Sequence, residues 1–191
     1  PLRESSPALF DVTSLQREAN SKFGYTAKTT LSLAQALYER HKVLTYPRTD
    51  SRFLPEDYVQ NAKDTLALIS ESSSNANRGH QVHAAKIIKE QWVKTNKRIF
   101  NNAKVSDHFA IIPTLQMPKE LSEAESKIYD LVVKRFMAVF FPAAEYRVTT
   151  RITKVEAHHF KTEGKVLVHP GWLEIYGREA QGQEANLVPV T

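Results

Sequence analysis

The chain has 191 residues, of which 41% are hydrophobic and 25% charged, as is ordinary for a folded globular protein. It contains no cysteine, which excludes disulfides, cysteine metal sites and thiol catalysis. No apolar run is long enough to cross a membrane. The net charge of +5 allows nucleic acid as a partner without establishing one. Because the first residue is Pro1 rather than Met, we expect an internal piece of a longer protein.

The N-terminal part of the chain has the pattern of a helical hairpin. Residues 1–8 are polar and contain proline, so we expect a linker there. A capping box of Thr13 and Gln16 predicts a first helix that ends before Gly24. A second helix begins near Thr26, and its apolar stripe includes Tyr38. Two helices joined by a short glycine turn are the outline of a helix-turn-helix, although any glycine-linked helical hairpin has this outline.

Helical periodicity continues to about residue 141 and then changes to the alternation of strands. The predicted helices cover residues 55–70, 83–94 and 123–141, the last after a capping box of Ser122 and Glu125. The predicted strands cover residues 146–153, 157–162, 165–169 and 173–176, with turns at 163–164 and 170–171. The sequence therefore predicts an α+β protein, with a helical domain at residues 9–143 and a β-rich part at residues 144–191.

The segment KVLTYPRTDS, residues 42–51, is the most informative for chemistry. Pro47 disfavours helical geometry at Tyr46, so Tyr46 should end a short extended segment. A tyrosine hydroxyl can attack a phosphodiester and hold the broken end as an ester, which allows rejoining without ATP. A phenol with a pKa of about 10 is mostly protonated at neutral pH, and it needs a nearby cation, base or metal to become a good nucleophile.

Two charged residues follow Tyr46 at intervals of two. In an extended segment, Arg48 would point to the same side as Tyr46 and could stabilise the charge on a phosphate. Asp50 could orient Arg48. The alternative interpretation is a buried tyrosine beside a turn, with Arg48 and Asp50 as a surface ion pair.

Among the seven histidines, His108 is the strongest candidate for a site. It lies between Asp107 and an apolar stretch, where it could hold a phosphate or relay a proton. The chain has no Walker-type phosphate loop, no HExxH pair and no convincing cluster of metal ligands. If the chemistry needs a divalent ion, its carboxylates lie elsewhere.

The motif TYPRTDS at residues 45–51 resembles the active-site tyrosine motif of type IA DNA topoisomerases, and its YPRTD form is most similar to the topoisomerase III branch. Residues 18–39 resemble the family's stretch before that motif. SDHFAIIPT at residues 106–114 resembles a second family signature, and GWLEIYG at residues 171–177 resembles the continuation into a neighbouring domain. The resemblance covers nearly the whole chain.

This resemblance implies roles for individual residues. Tyr46 would be the nucleophile that forms a 5′-phosphotyrosyl link. Arg48 would contact the scissile phosphate and help to position the tyrosine, and His108 would assist near the same phosphate. Thr49 and Asp50 would support them.

The resemblance also implies a fold: a mainly helical domain with a catabolite-activator-like helix-turn-helix core, followed by part of the family's β-rich arch. The enzyme would cleave one DNA strand, pass a strand and religate. Its Mg²⁺ would be bound by an acidic Toprim domain absent from these residues, with no metal site in this chain, so the chain alone is expected to be inactive in relaxation. One departure is Phe109, where topoisomerase III often has a second histidine.

The implied partners are DNA, preferably single-stranded, and the remaining domains of the same enzyme, with no membrane. The implied location is the bacterial cytoplasm, in association with the nucleoid. An alternative is a non-enzymatic winged-helix DNA-binding module, which leaves the motifs around Tyr46 and His108 unexplained. A tyrosine recombinase is set aside, because no histidine here is followed three residues later by arginine.

Overall fold

The computed structural model of the chain describes residues 2–155 and 158–177, without the side chains of residues 150–155 and 158–163. The described residues form two compact units. One unit is Pro7–Phe140, and the other combines the described residues before Pro7 with those after Phe140. The first unit is helical and the second carries a sheet, so the division follows the change of secondary structure.

Five α-helices build the first unit. The helix α5 contacts α1, α2 and α4, while α3 packs against α4. Apolar side chains at helical spacing, such as Ile128, Val132 and Phe136, are fully buried on α5 and form the centre of this core. The five helices are α1 (Val12–Phe23), α2 (Ala27–Glu39), α3 (Val59–Glu71), α4 (Gln81–Lys89) and α5 (Glu123–Ala138).

The ends of the hairpin helices are set by local hydrogen bonds. Gly24 adopts a left-handed conformation with φ of 72° and ends α1, as expected from the sequence. The capping box that begins α1 consists of Asp11 and Ser14, so its prediction at Thr13 and Gln16 was wrong. Asp is as good an N-cap as Thr, and here its carboxylate reaches the Ser14 amide at 2.8 Å.

Two predicted helices differ from the observed ones at their ends. The helix predicted from residue 55 begins as a 3₁₀ turn at Glu56–Tyr58 and continues as α3. The helix predicted over residues 83–94 is α4, which begins earlier and stops at Lys89. It stops there because Gln91 has a positive φ of 56° and donates its amide to the Ile88 carbonyl, which closes the last turn.

The second unit contains one antiparallel sheet in the order β1-β2-β3. Leu2–Glu4, within the residues expected to be a linker, forms β1 and pairs with the start of β2. The prediction of a turn at residues 163–164 was wrong, because both residues lie inside β3 and pair with β2. Part of the strand predicted at residues 157–162 lies outside the described residues. The long strands are β2 (Ala144–Val155) and β3 (His158–His169).

The predicted strand at Leu173–Tyr176 is a one-turn helix, α6. The predicted turn at residues 170–171 is confirmed, and its geometry explains why residues 173–176 form a helix rather than a strand. Gly171 has a positive φ of 54° and packs against the carbonyls of Pro142 and Ala143, where a Cβ would clash. The tight turn starts a helix whose apolar residues Leu173 and Ile175 are buried.

The α+β class is therefore confirmed, whereas a catabolite-activator-like helix-turn-helix stays a prediction. Within the described ranges, no helix has the length and apolar character needed to span a membrane.

A buried carboxylate joins α2 to the start of α5. Glu125 accepts hydrogen bonds from Arg40 at 2.8 Å and from His41 at 3.1 Å, and its other oxygen caps the Ser122 amide at 2.9 Å. Burial by itself would raise the pKa of Glu125, but the hydrogen bonds from Ser122 and His41 outweigh it and lower that pKa. The ionised form of Glu125 thus stabilises the fold.

We expect Glu125→Gln to lower the free energy of unfolding by about 1–3 kcal/mol at neutral pH, since Gln keeps the capping box but loses the charge. In the folded protein the pKa of Glu125 lies below the ordinary value of 4.5. The ionised carboxylate therefore stabilises the fold fully at pH values above 4.5, and this contribution is lost as the pH falls through the folded pKa. Urea unfolding of both proteins at neutral and acidic pH measures this. The prediction is contradicted if the difference in unfolding free energy between the parent and Glu125→Gln is as large at acidic pH as at neutral pH.

Candidate active site

Tyr46 ends a short extended segment that is hydrogen-bonded to a distant part of the chain. Leu44 forms an antiparallel bridge with Pro113. The Thr45 amide donates to the Ile112 carbonyl at 3.0 Å. The backbone before Tyr46 is therefore held against the segment that follows His108.

The Thr45 hydroxyl strengthens this attachment. It donates to the Ala110 carbonyl and accepts from the Ile112 amide, both at 2.9 Å. Ala110 and Ile112 are fully buried, so these backbone groups have no access to water. Because His108 lies two residues before Ala110, the same contacts bring His108 to Tyr46.

The segment after Tyr46 is attached to the first helix. The Val12 amide donates to the Thr49 carbonyl at 2.9 Å. The Thr49 side chain is buried, and its hydroxyl accepts from the Ser51 amide at 3.2 Å. Thr49 thus stabilises the turn behind the site.

The ring of Tyr46 lies between two other rings. His108 lies against it at a centroid distance of 4.2 Å and an interplanar angle of 31°. Tyr38, from α2, contacts it edge-on at 5.4 Å and 77°. The phenol of Tyr46 is half-buried by these contacts.

Two cavities flank this stack. Tyr46 lines a cavity of about 620 Å³ together with Tyr38 and Phe109. Arg48 and His108 line a second cavity of about 550 Å³. The sequence predicted that Tyr46 and Arg48 would point to the same side of an extended segment. The chain bends at Pro47 and Arg48 instead, so the two side chains line different cavities. His108 connects them: it contacts the Tyr46 ring and shares a cavity with Arg48.

The charged groups beside Tyr46 are free to meet a ligand. In the part of the chain that the structure describes, neither Arg48 nor Asp50 makes a side-chain hydrogen bond or ion pair. The next arginine along the chain, Arg52, is paired and contacts Asp11 at 3.2 Å. Arg48 and His108 line their cavity together with the carboxylates of Asp50 and Asp107, and Arg48 forms no ion pair with either of them.

Phe109, the position at which the sequence departs from the expected family pattern, takes a packing role. Its ring packs on Tyr58 with a centroid distance of 4.8 Å. Burial, followed by the charge of Asp57, raises the pKa of Tyr58. The position thus supplies apolar cover beside the site rather than a second imidazole.

A buried histidine with a close carboxylate partner lies elsewhere. His80 is buried, with its ring nitrogens 3.0 Å from Asn77 and 2.7 Å from Asp130. Burial would raise the pKa of Asp130, but the hydrogen bond with His80 and the charge of Lys134 lower it. This network joins the residues before α4 to α5 and opens onto no described cavity.

No group of three metal-ligating side chains occurs among the side chains that the structure describes, those of residues 2–149 and 164–177. The sequence interpretation assigned Tyr38 to the apolar stripe of α2 and missed its contact with Tyr46. Only its place at the end of that stripe distinguishes it, which is a weak signal.

Comparisons with known proteins identify the family of this chain. The family model for DNA topoisomerase matches residues 2–191. The DNA topoisomerase 3 of Bacillus cereus (strain ATCC 14579) is 47% identical over 173 residues, which are 90% of this chain and 23% of that protein. The chain belongs to the type IA DNA topoisomerases. It is topoisomerase III-like, since the DNA topoisomerase 3 of Bacillus subtilis (strain 168) is also 45% identical over 181 residues, or 94% of this chain.

The fold of this topoisomerase chain is similar to that of a larger solved structure. Full-length topoisomerase I from Thermotoga maritima has a TM-score of 0.63 and 23% identity, over 92% of this chain and 28% of that one. The chain thus spans about a quarter of the length of the relatives it matches.

We expect Thr45→Val to lower the free energy of unfolding of the topoisomerase chain by about 1–3 kcal/mol, because the Ala110 carbonyl and the Ile112 amide lose their shared partner in the core. Thr45→Ser keeps the hydroxyl and should lose clearly less. Urea unfolding of the three proteins gives the comparison. Equal stability of the Val variant and the parent would refute this role for the hydroxyl.

Proposed function

We propose that Tyr46 is the nucleophile of a type IA topoisomerase that contains this chain. The phenol oxygen forms a bond to the phosphorus of one DNA strand, and the bond from phosphorus to the 3′ oxygen breaks. The proton released by the phenol balances the one gained by the departing 3′-hydroxyl. The 5′ end stays on Tyr46, and attack by the 3′-hydroxyl reverses the reaction without ATP after a strand has passed.

The observation that carries this proposal is the contact of the Tyr46 ring with His108, which shares a cavity with Arg48. Arg48 forms no ion pair with a described side chain, so its guanidinium can bind the scissile phosphate and stabilise its negative charge. His108 assists at the same phosphate. Thr49 supports the turn behind the site through its buried hydroxyl, and Asp50, which lines the cavity of Arg48 and His108, is the other supporting residue.

The substrate is DNA, preferably single-stranded, since an open strand can bring a phosphate to the Tyr46 ring. The chain's net charge of +5 favours a polyanion. Mg²⁺ is supplied by an acidic Toprim domain that is a further partner of these residues. The enzyme acts in the bacterial cytoplasm, at the nucleoid.

We expect Tyr46→Phe, in a full-length enzyme that contains this chain, to abolish covalent capture of cleaved single-stranded DNA. The ring and its contacts remain, but no oxygen is available for attack. Denaturing electrophoresis of labelled DNA measures the adduct, and a binding titration serves as the control, because binding should stay nearly unchanged. Retained cleavage would falsify the nucleophile assignment. A parent enzyme that binds DNA without any adduct would favour the non-enzymatic winged-helix alternative.

We expect the 191-residue chain alone to relax little or no supercoiled DNA, because the carboxylates for Mg²⁺ belong to the Toprim domain. An agarose gel assay with the full-length enzyme as the positive control measures this. Robust relaxation by the purified chain would show that Tyr46 does not depend on that domain.

A further inference from the structure

The backbone and the ring of Tyr46 are held by different contacts. Thr45 and Pro47 restrict the backbone on either side of it. The side chain still has two rotatable bonds, and no hydrogen bond or ion pair to the Tyr46 hydroxyl exists within the described ranges. The direction of the hydroxyl is therefore decided by the rings on either side, Tyr38 and His108.

These two rings are not equally well supported. His108 is exposed on an irregular segment. Tyr38 is half-buried on α2, whose residues Ala34 and Leu37 are fully buried in the core. The end of that helix is also tied to α5, because Arg40 donates to Glu125 at 2.8 Å. Of the two rings that contact Tyr46, the Tyr38 ring is therefore the one that the helical core holds in place.

We propose that Tyr38 is a positioning residue for the nucleophile: its ring, through the T-shaped contact with the Tyr46 ring, fixes the orientation of the Tyr46 phenol. This inference rests on the proposed function of Tyr46. The ring of Tyr38 acts, rather than its hydroxyl, because that hydroxyl has no hydrogen-bond partner in the described part of the chain. T-shaped contacts between aromatic rings have a defined geometry. Without the Tyr38 ring, the Tyr46 side chain can therefore adopt several orientations, and its hydroxyl points in several directions.

The test compares Tyr38→Phe with Tyr38→Met in a full-length enzyme that contains this chain. Phe keeps the ring edge, whereas Met fills similar space with a flexible chain. Tyr25→Met is the matched control, since Tyr25 makes a similar ring contact with Phe23, at 5.3 Å and 43°, which does not involve Tyr46. Single-turnover cleavage of labelled single-stranded DNA is measured over a range of enzyme concentrations.

We expect Tyr38→Met to lower the maximal cleavage rate by roughly 10-fold to 100-fold, because a small misplacement of a reacting group has effects of that size. The half-saturating concentration should stay within about twofold of the parent value, since binding does not need the edge. Tyr38→Phe and Tyr25→Met should both cleave at nearly the parent rate. Parent-like cleavage by Tyr38→Met overturns the proposal, as does a Phe variant as slow as the Met variant.

A second measurement does not depend on activity. A 3-fluorotyrosine at position 46 should give one narrow ¹⁹F resonance in the parent and in Tyr38→Phe, and a broadened or multiple resonance in Tyr38→Met. One narrow, unshifted resonance in all three proteins overturns the proposal.

Tyr46→Phe separates the two hypotheses. If the adduct still forms without the Tyr46 hydroxyl, the assignment of Tyr46 as the nucleophile is overturned. If Tyr46→Phe forms no adduct while Tyr38→Met is fully active, only the positioning role of Tyr38 is overturned.

Discussion

The hydroxyl of Thr45 joins the two segments that carry the proposed chemistry. It satisfies one carbonyl and one amide of a buried stretch, at Ala110 and Ile112, which would otherwise be left without partners in the core. The segments are far apart in the chain, so no local preference brings them together. The contact of the Tyr46 ring with His108, and with it the approach of Arg48, depends on this attachment.

Charged groups are used differently in the scaffold and at the site. In the scaffold, Glu125 and Asp130 are buried or half-buried and bonded to cationic or histidine partners, which lowers their pKa values despite burial. At the site, Arg48 and His108 are exposed, and Arg48 forms no ion pair with a described side chain, although Asp50 and Asp107 line the same cavity. Paired charges stabilise the helices, whereas the charge of Arg48 remains available for a phosphate.

Local signals in the sequence predicted the helical part well. The capping box of Ser122 and Glu125 and the left-handed Gly24 have the expected geometry, because each depends on neighbours within one turn. The β-rich part was predicted less well. Residues 163–164 have turn propensity, but cross-strand pairing with β2 keeps them extended. Residues 173–176 alternate like a strand, but the close approach of Gly171 to the preceding loop begins a helix instead.

The sequence by itself determined the helices, the α+β class and the motif around Tyr46, from which the family could be named. Those features depend on residue spacing along the chain. The tertiary structure decided which side chains surround Tyr46. It separated Tyr46 and Arg48 into two cavities through a bend, and it brought the Tyr38 ring into a T-shaped contact with the Tyr46 ring. Ring contacts between distant residues follow from helix packing and buried backbone hydrogen bonds, which no spacing in the sequence encodes.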